Sequence, residues 1–165
     1  MKRCLLSAGL ALILPLSLCA QQANVEIQPP NLHGSRALEE LTRAAVIRDY
    51  LQSWTSFRQA FEQNQPKLLE QDFVGVALTK LRSTIAEQQK LGIHTRYEDH
   101  SHRLQIVFYS PDGLSIQLID EAVYDEEVFE GTKLLASHPV QARYVVVLSP
   151  SQVRWQVRVF QAEAE

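Results

Sequence analysis

Between residues 35 and 65 the apolar positions recur at helical intervals. Leu41, Ile47, Leu51, Trp54, Phe57 and Phe61 form one stripe, with Tyr50 on its flank. Residues three and four apart stack on one side of a helix, so this pattern predicts a long amphipathic helix. Ser35 can cap its start, and Pro66 stops it because its ring cannot continue helical bonding. Pro66 also suits the first position of a short second helix over 66–71, with Leu68 and Leu69 facing in. A third helix is predicted over 74–91, with Leu78, Leu81, Ile85 and Leu91 apolar. Gly92 follows as a C-cap residue, and Lys90 complements the helix dipole in the last turn.

Past Gly92 the period changes to two. Leu104, Ile106 and Phe108 alternate over 103–110, and Ser110-Pro111-Asp112-Gly113 has the composition of a tight turn. Residues 114–124 alternate through Ile116, Leu118, Ala122 and Tyr124, and two more β-rich runs, 140–148 and 153–160, are joined by a turn over 149–152. Helices followed by four to five strands predict an α+β fold, with the N-terminal helices packed on a curved antiparallel sheet.

The N-terminus changes the picture of where this domain works. Lys2 and Arg3 precede an apolar run over residues 4–20 that is interrupted by Pro15. A basic start, an apolar middle and a small final residue make a secretory signal. The run is shorter than the roughly 20 apolar residues that span a bilayer. It is therefore read as removed after Ala20, or slightly later after Ala23, leaving an exported protein, periplasmic or secreted. The rival is a lipoprotein anchored through Cys19, for which Leu18 is a poor preceding residue. Residues 21–34, polar and containing Pro29-Pro30, read as a flexible leader, and 35–165 as one domain.

Cys4 and Cys19 are the only cysteines, and cleavage removes both. That excludes thiol catalysis, cysteine–zinc sites and disulfides from the mature chain. A mature chain of about 145 residues is long enough to build a core without such staples. The whole chain carries 16 basic and 19 acidic residues, and loss of Lys2 and Arg3 leaves 14 against 19. Nucleic acid is excluded as a partner on that balance, since its phosphates call for a basic face.

Certain short motifs carry a family resemblance over about residues 41–161. They are the long first helix with Trp54, the exit Lys90-Leu91-Gly92, the run Tyr97-Glu98-Asp99-His100-Ser101, the turn at 110–113, and the closing Val153-Arg154-Trp155-Gln156-Val157. With this element order the chain resembles the nuclear transport factor 2-like superfamily, a cone of helices closed on a bent sheet. Within it, the chain is similar to the C-terminal domain family shared by cyanobacterial and plastid division proteins. The superfamily contains isomerases, dehydratases and non-catalytic binding domains, so the resemblance leaves activity open. The division-protein family implies binding rather than chemistry, although this chain lacks the cytoplasmic and membrane-spanning parts of those proteins.

The candidate sites follow from side-chain alternation. In a strand, His94, Glu98, His100 and His102 would share one face and could approach a divalent ion, while the charges flanking every histidine make 94–103 read first as an exposed strand end or turn. No further ligand completes the set, so no metal is expected, and no cofactor either. Asp120 falls on the face of Ile116, Leu118, Ala122 and Tyr124. Long bent strands commonly carry bulges, and one near Ile119 is expected to turn Asp120 to solvent. Without that bulge the carboxylate points inward, where it could act as a general base. The superfamily resemblance implies a tyrosine donor beside such an acid, with Tyr97, Tyr109, Tyr124 and Tyr144 available. Asp125, Glu126, Glu127 and Glu130 read as a solvated acidic loop with no calcium-loop spacing. Trp155 and the Trp54–Phe57–Phe61 stripe read first as core.

The leading expectation is a non-catalytic binding domain that holds a small apolar ligand or a partner protein between helix and sheet. Trp54, Phe57, Tyr97, Tyr109 and Asp120 would line that pocket. The alternative is an isomerase or dehydratase using Asp120 with Tyr124. A homodimer through the sheet is a further expectation.

Overall fold

The computed structural model describes residues 23–34 and 36–163. The signal expected over 1–20, with Cys19, and the capping role of Ser35 lie outside these residues.

The first helix, α1 (Glu40–Glu62), begins after an extended Glu39 whose side chain makes no cap bond. It buries Val46, Tyr50, Trp54, Phe57, Ala60 and Phe61 on one face, following the stripe in the sequence. Leu41, counted in that stripe, is 85% exposed because it lies in the first turn, ahead of the packed face. Pro66 opens a short 3-10 helix, Pro66–Leu69, and helix α2 (Gly75–Leu91) stops at Gly92. Gly92 has φ of 68°, a left-handed conformation that a side chain disfavours.

Five strands follow this covering layer in space. They are β1 (Asn24–Ile27), β2 (Ile93–Tyr109), β3 (Ile116–Glu130), β4 (Lys133–Pro150) and β5 (Trp155–Ala162), hydrogen-bonded in that order. Strands β2 to β5 form an antiparallel meander, while β1 runs parallel to β2 on its outer edge. The helices pack on one face of this bent sheet, and a single apolar core lies between the layers. The fold class expected from the sequence is the one observed.

Three expectations about the chain change. The leader, read as flexible over 21–34, contains β1, and its backbone bonds continue along β2 from Gln28 N–H to Leu104 O and from His33 N–H to Val107 O. Main-chain pairing of this kind leaves no hydropathic signature. The polar run 94–103 is no exposed end but the first half of β2, and the acidic residues 125–130 belong to β3 rather than to a loop. The β3–β4 turn comes later, at Gly131, where φ is 58°.

Register departures bend the sheet at defined places. They fall between Asp99 and Ser101 and between Ile106 and Phe108 in β2, between Val128 and Phe129 in β3, and between Val147 and Leu148 in β4. None falls at Ile119.

Candidate functional site

Because β3 alternates without interruption from Ile116 to Tyr124, Asp120 points into the core and has no exposed surface. The bulge expected at Ile119 is absent, so Asp120 is not solvated. Its Oδ2 accepts three hydrogen bonds: from Tyr50 Oη at 2.6 Å, from Trp54 Nε1 at 3.1 Å and from His102 Nδ1 at 2.9 Å. The indole of Trp54 also donates to Tyr50 Oη at 2.7 Å. Tyr50 and Trp54 are four apart on α1, which places both over the same point of β3.

The β2 bulge supplies the other half of this arrangement. Three residues apart in a regular strand, Asp99 and His102 would face opposite sides. The extra residue at His100 turns both inward, to 7% and 2% exposure. His102 Nε2 then lies 3.6 Å from Asp99 Oδ2, and Arg58 Nε of α1 lies 3.2 Å from the same oxygen. Arg58, Asp99, His102, Asp120, Tyr50 and Trp54 therefore form a continuous polar chain through an otherwise apolar core. Burial, the largest single influence on His102, favours its neutral form. Hydrogen bonds and charge from Asp120 and Asp99 together outweigh burial and hold its pKa at about 9, so the ring is cationic at neutral pH. Burial and the neighbouring Asp120 push the Tyr50 hydroxyl well above its ordinary value, so it stays a donor. Four buried atoms of this polar chain have no hydrogen-bond partner among the described residues: Arg58 Nε, Asp99 Oδ1, His102 Nε2 and Asp120 Oδ1.

The remaining candidates divide between two places. Trp54 and Phe57 are buried, and with Phe61, Tyr97, Tyr124, Tyr144 and Phe160 they form a contact network with ring centroids 4.6–5.9 Å apart. These rings fill the space expected to be an apolar hollow between the layers. Tyr124 bonds Tyr144 through their hydroxyls at 2.8 Å rather than Asp120. Burial raises the pKa of both phenols above the ordinary value. Tyr109 lies apart from this cluster, at the far end of β2, beneath the Arg36 guanidinium at 4.5 Å. Trp155 packs partly buried against the core.

The β2 bulge also separates the histidines expected on one face. His102 turns in, His100 bonds Asp125 at 2.9 Å on the exposed side, and His94 stacks on Phe129. Among the described residues no three His, Cys, Asp or Glu side chains converge on a metal position. Among them, too, no helix is long and apolar enough to cross a membrane.

An open groove lies where α1 passes the first half of β2. Thr55, Arg58, Gln59 and Glu62 form one wall, Arg96 to Asp99 the other, and the space measures about 330 Å³. Arg96 is held at the rim by Glu62 at 3.0 Å, with its guanidinium over Phe129. Arg58 and Asp99 join this groove to the buried chain behind it. Arg58 does not stand out in the sequence, and Asp99 does so only within the run 97–101. An acid and a histidine three apart in a strand signal a shared face only when a bulge intervenes, and hydropathy does not announce the bulge.

No protein-family model and no curated protein matches the sequence. Solved structures do match in shape. The intermembrane-space region of the chloroplast protein ARC6 superposes with a TM-score of 0.64 at 15% identity, over 79% of this chain and 100% of its own. A protein from Catenulispora acidiphila gives 0.53 at 11% identity, over 75% and 94%. A candidate scytalone dehydratase from Novosphingobium aromaticivorans gives 0.52 at 10%, over 76% and 89%. At these identities the likeness is one of fold. With helices closing one face of a bent five-stranded sheet, and with these shapes superposing on it, the chain has the nuclear transport factor 2-like fold.

Proposed function

We propose that this domain is an exported, non-catalytic binding module, and that its occupant sits in the groove between α1 and β2. The observation that carries this reading is the buried carboxylate of Asp99, which reaches that groove beside the half-buried Arg58. Both line the opening; Asp99 Oδ1 has no hydrogen-bond partner among the described residues, while Arg58 Nε faces the other carboxylate oxygen at 3.2 Å without bonding it. Buried polar groups are almost always satisfied, so such a pair at the floor of an open space favours a ligand that completes it. The occupant is accordingly a small molecule or partner segment with polar groups of its own. A purely apolar ligand is not favoured, because Trp54 and Phe57 pack against other rings.

The enzymatic alternative draws on the inward Asp120 and its 2.6 Å bond from Tyr50. Against it, Asp120 is sealed from solvent and its Oδ2 is already engaged by three donors. A general base must reach the proton it removes. Pairing of two copies through the outer face of the sheet is not favoured either, for a row of exposed charges crosses that face. Arg103 bonds Glu26 and Glu121, and Arg143 bonds Glu163.

Nuclear magnetic resonance of the labelled protein with a mixture of polar fragments tests the reading. Shifts confined to Arg58, Asp99 and their groove neighbours are expected. Shifts centred on Asp120 and Tyr50, with turnover abolished in Asp120→Asn, would replace binding by catalysis.

A further inference from the structure

The second wall of the groove is made by four consecutive residues, Arg96, Tyr97, Glu98 and Asp99. Successive side chains of a strand point to opposite faces, so one face supplies at most alternate residues. Four in a row line a common space only if that space runs along the edge of the strand, where the main chain itself is presented. The pairing pattern agrees. On one side β2 is bonded to β3 from Ile93 to Tyr109, whereas on the other β1 covers only Ser101 to Leu104. The leader extends that cover towards Val107, away from the groove. Among the described residues, no strand pairs with the outer edge of β2 from Ile93 to His100.

We infer that this edge receives an extended polypeptide segment of a partner protein, which adds a strand to the sheet in line with β1 and beside α1. The inference rests on the binding reading and gives it a chemical class. Outward main-chain N–H and C=O groups of a strand are matched by another backbone better than by a side chain or small ligand. Strand β1 shows that this same edge already accepts a strand that is not part of the antiparallel meander. The stretch Arg96–Asp99 spans about 13 Å, enough for four added residues. The half-buried Thr55 and the exposed Gln59 and Glu62 of α1 form the facing wall. Asp99 Oδ1, buried and without a partner, calls for a donating side chain on the added segment, such as Ser, Thr, Asn or Lys. The exposed Glu98 points to the other face, where a basic residue at the neighbouring position of the added strand is its match.

Panning the protein from Gln21 onward against a phage-displayed random dodecapeptide library, followed by synthesis of the selected peptides, tests this. Bound peptides are expected to slow amide exchange along Arg96–Asp99 and to carry a donor residue facing Asp99. Gln59→Trp, an exposed substitution that fills the groove without touching the core, is expected to weaken them on the order of 10-fold or more. Failure to select any peptide, or protection at another edge such as that of β4, overturns the inference. If polar fragments occupy the groove while no peptide does, the binding reading stands and strand addition falls. If neither does, both fall. A protein beginning at Ala23 provides the last control. Binding seen only in that shorter form would assign the edge to the chain's own leader and overturn the partner.

Discussion

Asp120 shows how much one carboxylate can organise. It is the acceptor for a phenol, an indole and an imidazolium, and its loss would strand three donors in the core. Asp120→Ala is predicted to lower the unfolding free energy by about 3–5 kcal/mol, measured by urea denaturation. Asp120→Asn keeps the shape and one acceptor, and should cost less. His102 adds a pH dependence whose sign follows from its raised pKa. A group that binds its proton more tightly when folded contributes fully below its unfolded pKa, near 6.5, and loses that contribution as pH rises through about 9. Stability is therefore predicted to fall by on the order of 3 kcal/mol between pH 6 and pH 10 from this group alone. His102→Gln should flatten that part of the profile. Of this cluster, Trp54 was legible from the helical stripe, whereas alternation singled out Asp120 but the bulge expected beside it sent the carboxylate to solvent. Tyr50 was legible only as a flank residue, because periodicity says where a ring points and not what its hydroxyl meets.

At the scale of elements, helices were read more accurately than strands. Gly92 ends α2 and Pro66 opens the 3-10 helix where expected, although α1 already stops at Glu62, with Asn64 in the left-handed region at φ 52°. Gly92→Ala is predicted to cost about 1 kcal/mol in thermal or chemical unfolding, from backbone strain alone, since an added Cβ would meet nothing within 4 Å. Strands β2 and β3 were read short because their outer halves are polar on both faces. Their order comes from mutual pairing, from Ile93↔Glu130 through Asp99↔Tyr124, which no single segment encodes. The leader is the same case. A chain beginning at Gly34 would leave β2 open from Ser101 to Val107, and is predicted to scatter light on concentration and to unfold at lower denaturant than the chain from Gln21.

For the whole molecule, the two faces of the sheet follow different rules. The inner face is closed by rings and the polar chain. The outer face carries Glu26, Arg103, Glu121, Arg143 and Glu163 in one row across the strands. Exposed pairs of this kind contribute little to stability. They do resist stacking of one sheet on another, because each charge would lose water without gaining a new partner. The protein is predicted to sediment as a monomer across a micromolar concentration series. Arg103→Leu combined with Arg143→Leu should promote association while changing unfolding by less than about 1 kcal/mol per pair removed.

The sequence by itself determined the helices, their stops, the switch to strand period and so the α+β class, because these rest on local backbone preference and on the spacing of apolar residues. Tertiary structure alone decided that Asp120 turns in, that Asp99 and His102 meet behind the groove, and that the leader becomes a strand. Each of these depends on a bulge or a pairing between segments distant in the chain, where the deciding interaction is a main-chain hydrogen bond that every residue type can make.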